Sequence, residues 1–543
     1  MAQSVETFSD ASISNQANKT ITTLDRIPSI PADAILNSVI LSFTCDRTSG
    51  KSDNEIRVEV GGTVYFTVQD LGTNDSRTVD ITSIVINNNG TLTYTDGSTS
   101  LSLRGWHTVT LFNANWKLTN IKITANYTER YTLTVATNNS SYGSVTGGGI
   151  YNSGTAATLT ATPSTGCKFV QWSDGNTSAT RTVAVTANAT YTATFEKLKY
   201  TVNFKTQDGS VVSTNTIEHG STLGTLPTVS RSGYTFAGWI PCEPAKKADG
   251  NILDSYKYNG DSNSAHALDK KYKYTDNLSV HIEAYMSNWE DIASLKAQII
   301  SCTEGGGWGL GYQANSSGHG TELYAGGYKG IDLELGTAGK FSNNTWYSFD
   351  IVFSNGTFEA YVNGTKKGTQ TTASTTISYH ADNTIFVGAE AAKDATTPNG
   401  NYFKGFISNV FIANKGTRLV TATTNTTVEG DVDYYPVWRL IPTYTVTFKN
   451  HDDTVLQTIS VENGTTPSYT GSTPTKSSTA QYTYTFSGWS PSVGVITDNI
   501  TYTAQFTIRR NGIYAGTSRA KAIYVGTTPV KAIYVGTTKV YEQ

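Results

Sequence analysis

The sequence predicts an all-β, multi-domain chain of β-sandwich or jelly-roll domains interspersed with small β repeat domains. Three observations predict it. The first is composition: 32 Tyr and 49 Gly stand in 543 residues, with Thr and Asn abundant. β-Branched and aromatic residues suit pleated strands, whereas Gly and Asn suit turns with positive φ. Runs of Leu, Glu and Ala that favour helix are scarce. The second is patterning, in short alternating apolar and polar runs separated by turn clusters about every ten residues. The third is internal repetition, which marks modular architecture. A prior of roughly 150 residues per domain gives about four units.

The formal net charge is −3, with 37% hydrophobic and 15% charged residues. This is a globular composition without a basic block, so nucleic acid is not an expected partner. Cys45, Cys167, Cys242 and Cys302 stand far apart. Without a C-x-x-C pair they read as small buried apolar residues and not as a zinc or redox motif. The opening MAQSVETFSDASISNQANKT carries no basic segment followed by an apolar one, so no secretory signal is expected there. No run is long enough to span a bilayer, and membrane insertion is not expected.

Residues 1–128 contain AILNSVILSF, IRVEV, TVYFTV, WHTVTLF and LTNIKITANY, with RTSGKSDN and NNNGT between them. Short strands with frequent turns predict one β-sandwich. The segment resembles the galactose-binding-type sandwiches of phage and surface proteins, and virion attachment is one role this implies.

A repeat follows. YTLTVATN (131–138), YTVNFKTQDGS (200–210) and YTVTFKNHDDT (444–454) open alike. Each leads to an aromatic element ending in Trp: KFVQWSDG, YTFAGWI and YTFSGWS. Two copies close with NATYTATF (188–195) and NITYTAQF (499–506). The middle copy finds its closing strand only in VEGDVDYYPVWRL (428–440), so an insertion of roughly 190 residues between Trp239 and Asp431 splits it. The units are then 129–197, a split unit of 198–242 and 425–441, and 442–507. These segments resemble internalin-type B repeats, small β-grasp-like or sandwich-like units that serve as stalks or spacers in bacterial surface proteins, with the first copy a divergent subtype. Trp172, Trp239 and Trp489 read as the core residue of each repeat in preference to sugar-stacking platforms, because a small domain depends on one large buried aromatic.

The insertion, 243–424, is rich in strands: LSVHIEAYM, AQIISCTE, WGLGYQ, ELYAGGY, TWYSFDIVFSNGTFEAYVNGTKKG, NTIFVGAEA and NYFKGFISNVFIAN. Asn355-Gly356 and Asn363-Gly364 are hairpin signals. The order resembles the concanavalin A-like, laminin G-like jelly roll, a fold that hosts glycan binders, protein binders and a few hydrolases. Trp308, Tyr312, Tyr324 and Tyr328, with Asn315 and His319, gather in one Gly-rich stretch. They read equally as a ligand platform or as aromatics pointing into the sandwich. Asp332 and Glu334 stand two apart and share a strand face, as a hydrolase pair would, although a solvated face is the simpler reading. Calcium is the one cofactor the resemblance admits, with Asp254, Asp261 and Asp382 in turn-like stretches; such residues ordinarily make turns, and no metal site is assigned.

Residues 508–543 repeat every ten positions as GIYAGTSRA, KAIYVGTTPV and KAIYVGTTKV. The pattern predicts one strand per repeat, in need of another surface to pair with. It resembles the ends of virion structural proteins of phages that infect gut bacteria. No nucleophile elbow, zinc-protease helix, phosphate loop or EF-hand stands out, and no enzymatic activity is expected. Together the resemblances imply a phage structural protein, of tail-fibre or receptor-binding type, that displays a lectin-like domain for adhesion to the host surface or its glycans. Alternatives are a capsid head fibre or decoration adhering to mucus glycans, a glycan-hydrolysing tail protein, or a bacterial surface adhesin. Its partners would be other virion proteins and host-surface or mucus glycans. Its place would be the virion surface after synthesis in the host cytoplasm, with homo-oligomerisation left open.

Overall fold

The structure, a computed structural model, describes residues 1–543 apart from 14–18, 25–27, 50–53, 61–62, 70–73, 89–90, 95–100, 108–114, 291–296, 303–305, 313–321, 328–330, 338–339, 381–383, 392–396, 399, 480–481, 511–513, 516–517, 520–523, 526, 536–537 and 543. The chain is an all-β, multi-domain protein. It divides into two compact units, residues 1–198 and 199–543.

The first unit opens with a two-sheet sandwich. One sheet orders Ala2–Thr7, Asn115–Thr128, Ile35–Ser49 and Asp75–Asp80, and the other Lys19–Leu24, Leu101–His107, Asn54–Val60 and Thr63–Gln69. Val39, Leu41, Phe43 and Cys45 alternate into the core, opposite Ile56, Val58 and Val60, as period-two patterning requires. Leu118 and Ile121 are three apart, yet both are fully buried. The register slips between Thr119 and Lys122, where Asn120 adopts φ 52°. This β-bulge returns the following residues to the core face.

The same device builds the three repeats. Each carries a four-stranded mixed sheet whose first and last strands pair in parallel: Arg130–Thr137 with Ala189–Lys197, Lys199–Lys205 with Val432–Leu440, and Thr443–Lys449 with Ile500–Arg510. The Trp strand flanks the last strand. Phe and Trp three apart on a flat strand would face opposite sides. The ladder slips between Phe169 and Gln171, Phe236 and Gly238, and Phe486 and Gly488. Phe and Trp rings therefore meet at 5.7, 5.4 and 5.3 Å in the three copies. Gly238 and Gly488 take φ 134° and 138° at the bulge, a region that side chains rarely adopt. A second shared device sits just before the closing strand. The side-chain oxygens of Asn188, Asp431 and Asn499 each accept a 2.7 Å hydrogen bond from the backbone N–H of Thr132, Thr201 and Thr445. Each closes one donor that the parallel pair leaves unpaired.

Trp172 and Trp239 are fully buried, and their indole N–H groups donate to Ser178 O and Pro227 O. Trp489 departs from the expectation. It is only half-buried, packed edge-on to Phe448, Tyr469 and Phe486. Cys45 and Cys302 are buried, whereas Cys167 and Cys242 are half-buried.

In the second unit the inserted domain is a sandwich of two six-stranded sheets. One orders Tyr256–Asn259, Lys404–Ala413, Asn277–Met286, Thr345–Ser354, Thr357–Val362 and Thr365–Thr371. The other orders His266–Ala267, Phe386–Val387, Gln298–Ser301, Trp308–Tyr312, Glu322–Gly327 and Ile331–Thr337. Asn355 and Asn363 turn with φ 46° and 47°, and Gly356 and Gly364 with 79° and 77°, the double positive φ of the tight hairpin. Val432–Leu440, which closes the split repeat, also packs against the insertion: Ile240, Phe411, Leu419, Tyr435 and Val437 form one small core.

The C-terminal decads correct the expectation of one strand each. Each decad holds a two-stranded ladder of its own: Tyr514–Ala515 with Ser518–Arg519, Tyr524–Val525 with Thr528–Pro529, and Ala532–Val535 with Thr538–Glu542. The two strands of each pair therefore belong to one decad and not to successive decads.

Candidate functional site

Of the residues singled out in the Gly-rich stretch, the two whose side chains are described, Trp308 and Tyr324, do not form an exposed platform. Trp308 is fully buried, and its indole N–H donates to Tyr379 Oη at 3.1 Å. Trp308 and Leu310 share the core with Leu323 and Ala325, and the alternation that turns them inward leaves glycines 309, 311 and 326 on the other face. Tyr324 points away from Leu323 but is only 3% exposed. Trp308 and Tyr324 therefore do not present free stacking faces, which corrects that reading. Tyr312 ends a strand, and its ring lies outside the described residues, as do Asn315, His319 and Tyr328. Glu334 is exposed, whereas the Asp332 side chain is outside the description.

Two of the calcium candidates, Asp261 and Asp254, have other roles. Asp261 accepts from the N–H groups of Asn263 and Ser264 and caps a short 3₁₀ turn. Asp254 is engaged by Arg231, and Asp382 lies outside the description. Among the described residues no group of three or more acidic, His or Cys side chains is arranged to hold a metal.

The larger opening lies where the split repeat meets the insertion. It is a groove of about 620 Å³ lined by Lys205, Gln207 and Arg231 of the repeat, Asp254 and Tyr256 of the insertion, and Trp438 of the closing strand. Arg231 forms a fork-to-fork pair with Asp254, at 3.0 and 2.5 Å. It also donates to Gln207 Oε1 at 2.8 Å and stacks 3.8 Å from the centre of the Tyr234 ring. The Asp254 carboxylate holds the guanidinium above its ordinary range. Such bidentate pairing presets a planar polar surface, and half-buried Tyr256 supplies an apolar wall beside the buried Trp438. A groove of this size with convergent polar groups is typical of small-ligand sites.

A second, more polar pocket of about 390 Å³ lies on the outer face of the insertion's first sheet. Along Asn277–Met286, Leu278, Val280, Ile282, Ala284 and Met286 face the sandwich core. Ser279, His281, Glu283 and Tyr285 face the other way and are buried as well. His281 Nδ1 lies 2.6 Å from Asp350 Oδ1. Glu283 accepts from Arg439 Nε at 3.0 Å and from its terminal nitrogen at 2.7 Å, and from Asn409 Nδ2 at 2.7 Å. Asn409 Oδ1 in turn accepts from Trp438 N. Burial alone would push His281 down, but the hydrogen bond and charge of Asp350, with Glu283 beyond, raise it above its ordinary value. Sequence reasoning missed this cluster. Its signal is the His and Glu alternating with apolar residues in a strand whose other face is wholly core.

Comparison with known proteins supplies three family matches. Residues 133–199 match the divergent InlB B-repeat domain. Residues 200–251 match the Listeria-Bacteroides repeat domain. Residues 259–417 match the concanavalin A-like lectin/glucanases superfamily. No curated protein sequence matches the chain. Among solved structures, domain 4 of AbnA, a GH43 extracellular arabinanase from Geobacillus stearothermophilus in complex with arabinotriose, aligns at 17% identity over 35% of this chain and 85% of its own, with a TM-score of 0.22. The heptameric SAP-like pentraxin from Limulus polyphemus aligns at 12% identity over 34% and 94%, with a TM-score of 0.23. The Trypanosoma rangeli sialidase aligns at 11% identity over 36% and 34%, with a TM-score of 0.22.

Proposed function

We propose that this protein is a non-enzymatic, carbohydrate-binding adhesion protein whose inserted jelly roll and split repeat together hold a glycan. The observation that carries this reading is the groove at their junction, where the Arg231–Asp254 fork and Gln207 lie beside half-buried Tyr256. Sugars offer hydroxyls to planar polar groups and C–H faces to aromatics, and this wall offers both. The match of residues 259–417 to a lectin and glucanase superfamily supports the same class. Binding in place of hydrolysis is supported by the state of the buried carboxylates: Glu283 is held by Arg439 and Asn409, and Asp350 by His281. The groove site uses no cofactor in this reading.

The finer assignment is a phage structural protein of tail-fibre or receptor-binding type, with B-type repeats as spacers and other virion proteins as partners. The C-terminal decads, which resemble the ends of phage virion proteins, support it. A head fibre or capsid decoration is the second reading, on the same decads.

A glycan array probed with the full chain tests the binding class. Arg231→Ala and Gln207→Ala should weaken the strongest signals, about tenfold or more for the charged contact. Binding unchanged in both variants refutes the groove. Antibody labelling of purified particles tests the location. Label at the tail tip supports receptor binding, label on the capsid supports the second reading, and absence from particles removes both.

A further inference from the structure

We propose that the His281 pocket is a second ligand site, built to take a neutral hexose unit through its vicinal hydroxyls. The floor is formed by His281, Glu283 and Asp350, at 6%, 2% and 3% exposure. The mouth is formed by half-buried Trp346 and Ser348 and exposed Asn363, with Arg418 at its side.

Two buried nitrogens in this pocket have no hydrogen-bond partner: His281 Nε2 and Arg418 Nε. His281 Nε2 lies 4.0 Å from Glu283 Oε1, and Arg418 Nε lies 3.6 Å from Asp350 Oδ2, both beyond hydrogen-bond reach. An unsatisfied buried polar atom is costly, so a site that keeps two beside a ligand-sized space is prepared for a guest. The volume of about 390 Å³ lies within the range of small-ligand pockets, roughly 300–1,000 Å³.

The charges decide the class of guest. Arg439 and Glu283 neutralise one another, and Asp350 stands against His281. An anion would be driven against two buried carboxylates, and a cation against His281 and two arginines. A hydroxyl avoids both penalties, because it donates or accepts as required. It also satisfies His281 Nε2 whether that nitrogen carries a proton or a lone pair. Trp346, 5.6 Å from the Tyr285 ring, places an aromatic beside the mouth for the C–H face of a pyranose.

The inference extends the carbohydrate reading to a separate site, and its test uses separate residues. Saturation-transfer NMR on the full chain is run with methyl glucoside, galactoside and mannoside, with methyl glucuronide as the charged comparison. Trp346→Ala removes the mouth aromatic, and Ser348→Leu fills the pocket, with thermal melts showing that both variants fold. At least one neutral glycoside should bind saturably, lose at least tenfold in affinity in both variants, and be unaffected by Arg231→Ala. Saturation by none of the three neutral glycosides overturns the proposal. So does binding that survives both pocket variants, or tighter binding of the glucuronide. Binding abolished by Arg231→Ala alone overturns it while leaving the groove reading intact.

Discussion

Replacing Trp239 with alanine tests how the split repeat is held together. The indole is fully buried, meets Phe204 at 5.0 Å and Phe236 at 5.4 Å, and donates to Pro227 O at 2.9 Å. Truncation removes a large apolar body from a small core of Val202, Phe204, Leu223, Ala422, Val428 and Tyr434. Buried Trp→Ala changes cost about 3–5 kcal/mol, and Pro227 O loses a donor worth about 1 kcal/mol. Partial collapse of the cavity offsets some of this, leaving about 4 kcal/mol. For a unit of this size the melting transition should fall by more than about 15 °C. The same change at Trp489 should cost less, about 2–3 kcal/mol, because that ring is only half-buried. Calorimetry of the full chain, with chemical denaturation beside it, measures both changes. A cost at Trp239 below about 2 kcal/mol, or an equal cost at Trp489, would refute the argument from burial.

Three further outcomes are expected. His281 is raised above its ordinary value by Asp350 and Glu283, with Arg418 and Arg439 as the opposing charges nearby. Its contribution to stability is therefore complete below the ordinary His pKa of about 6.5 and is lost as pH rises through the raised value. The melting temperature should decline as pH rises above about 6.5, and His281→Gln should flatten that slope; a slope unchanged by the variant would exclude His281 as its source. Asp431→Ala should cost about 1 kcal/mol in chemical denaturation by freeing the Thr201 N–H, whereas Asp431→Asn should be near neutral, since Asn188 and Asn499 serve that role in the sister repeats. Equal losses in both variants would point to charge in place of capping. Gly488→Val forces a β-branched side chain to φ 138° and should cost at least about 1–3 kcal/mol; an unaltered denaturation midpoint would mean the bulge does not need glycine.

The sequence by itself determined what depends on backbone periodicity. Alternation in LSVHIEAYM, the Asn-Gly turns at 355–356 and 363–364, and the threefold aromatic-to-Trp element all have local causes. The Phe-x-Gly-Trp spacing even encodes its own bulge, since no flat strand brings Phe236 and Trp239 to one face. The distant closing strand was legible too, because VDYYPVW repeats the alternation of its sister strands. Only the tertiary structure decided which second faces are covered. Period-two patterning says that His281 and Glu283 share a side, but not that Arg439, 156 residues beyond Glu283, meets it there. It places Trp308 and Tyr324 in strands without saying that both are buried. The groove likewise draws Arg231, Asp254 and Trp438 from three separate stretches of chain. Such sites arise from packing between elements remote in sequence, and local pattern carries no record of it.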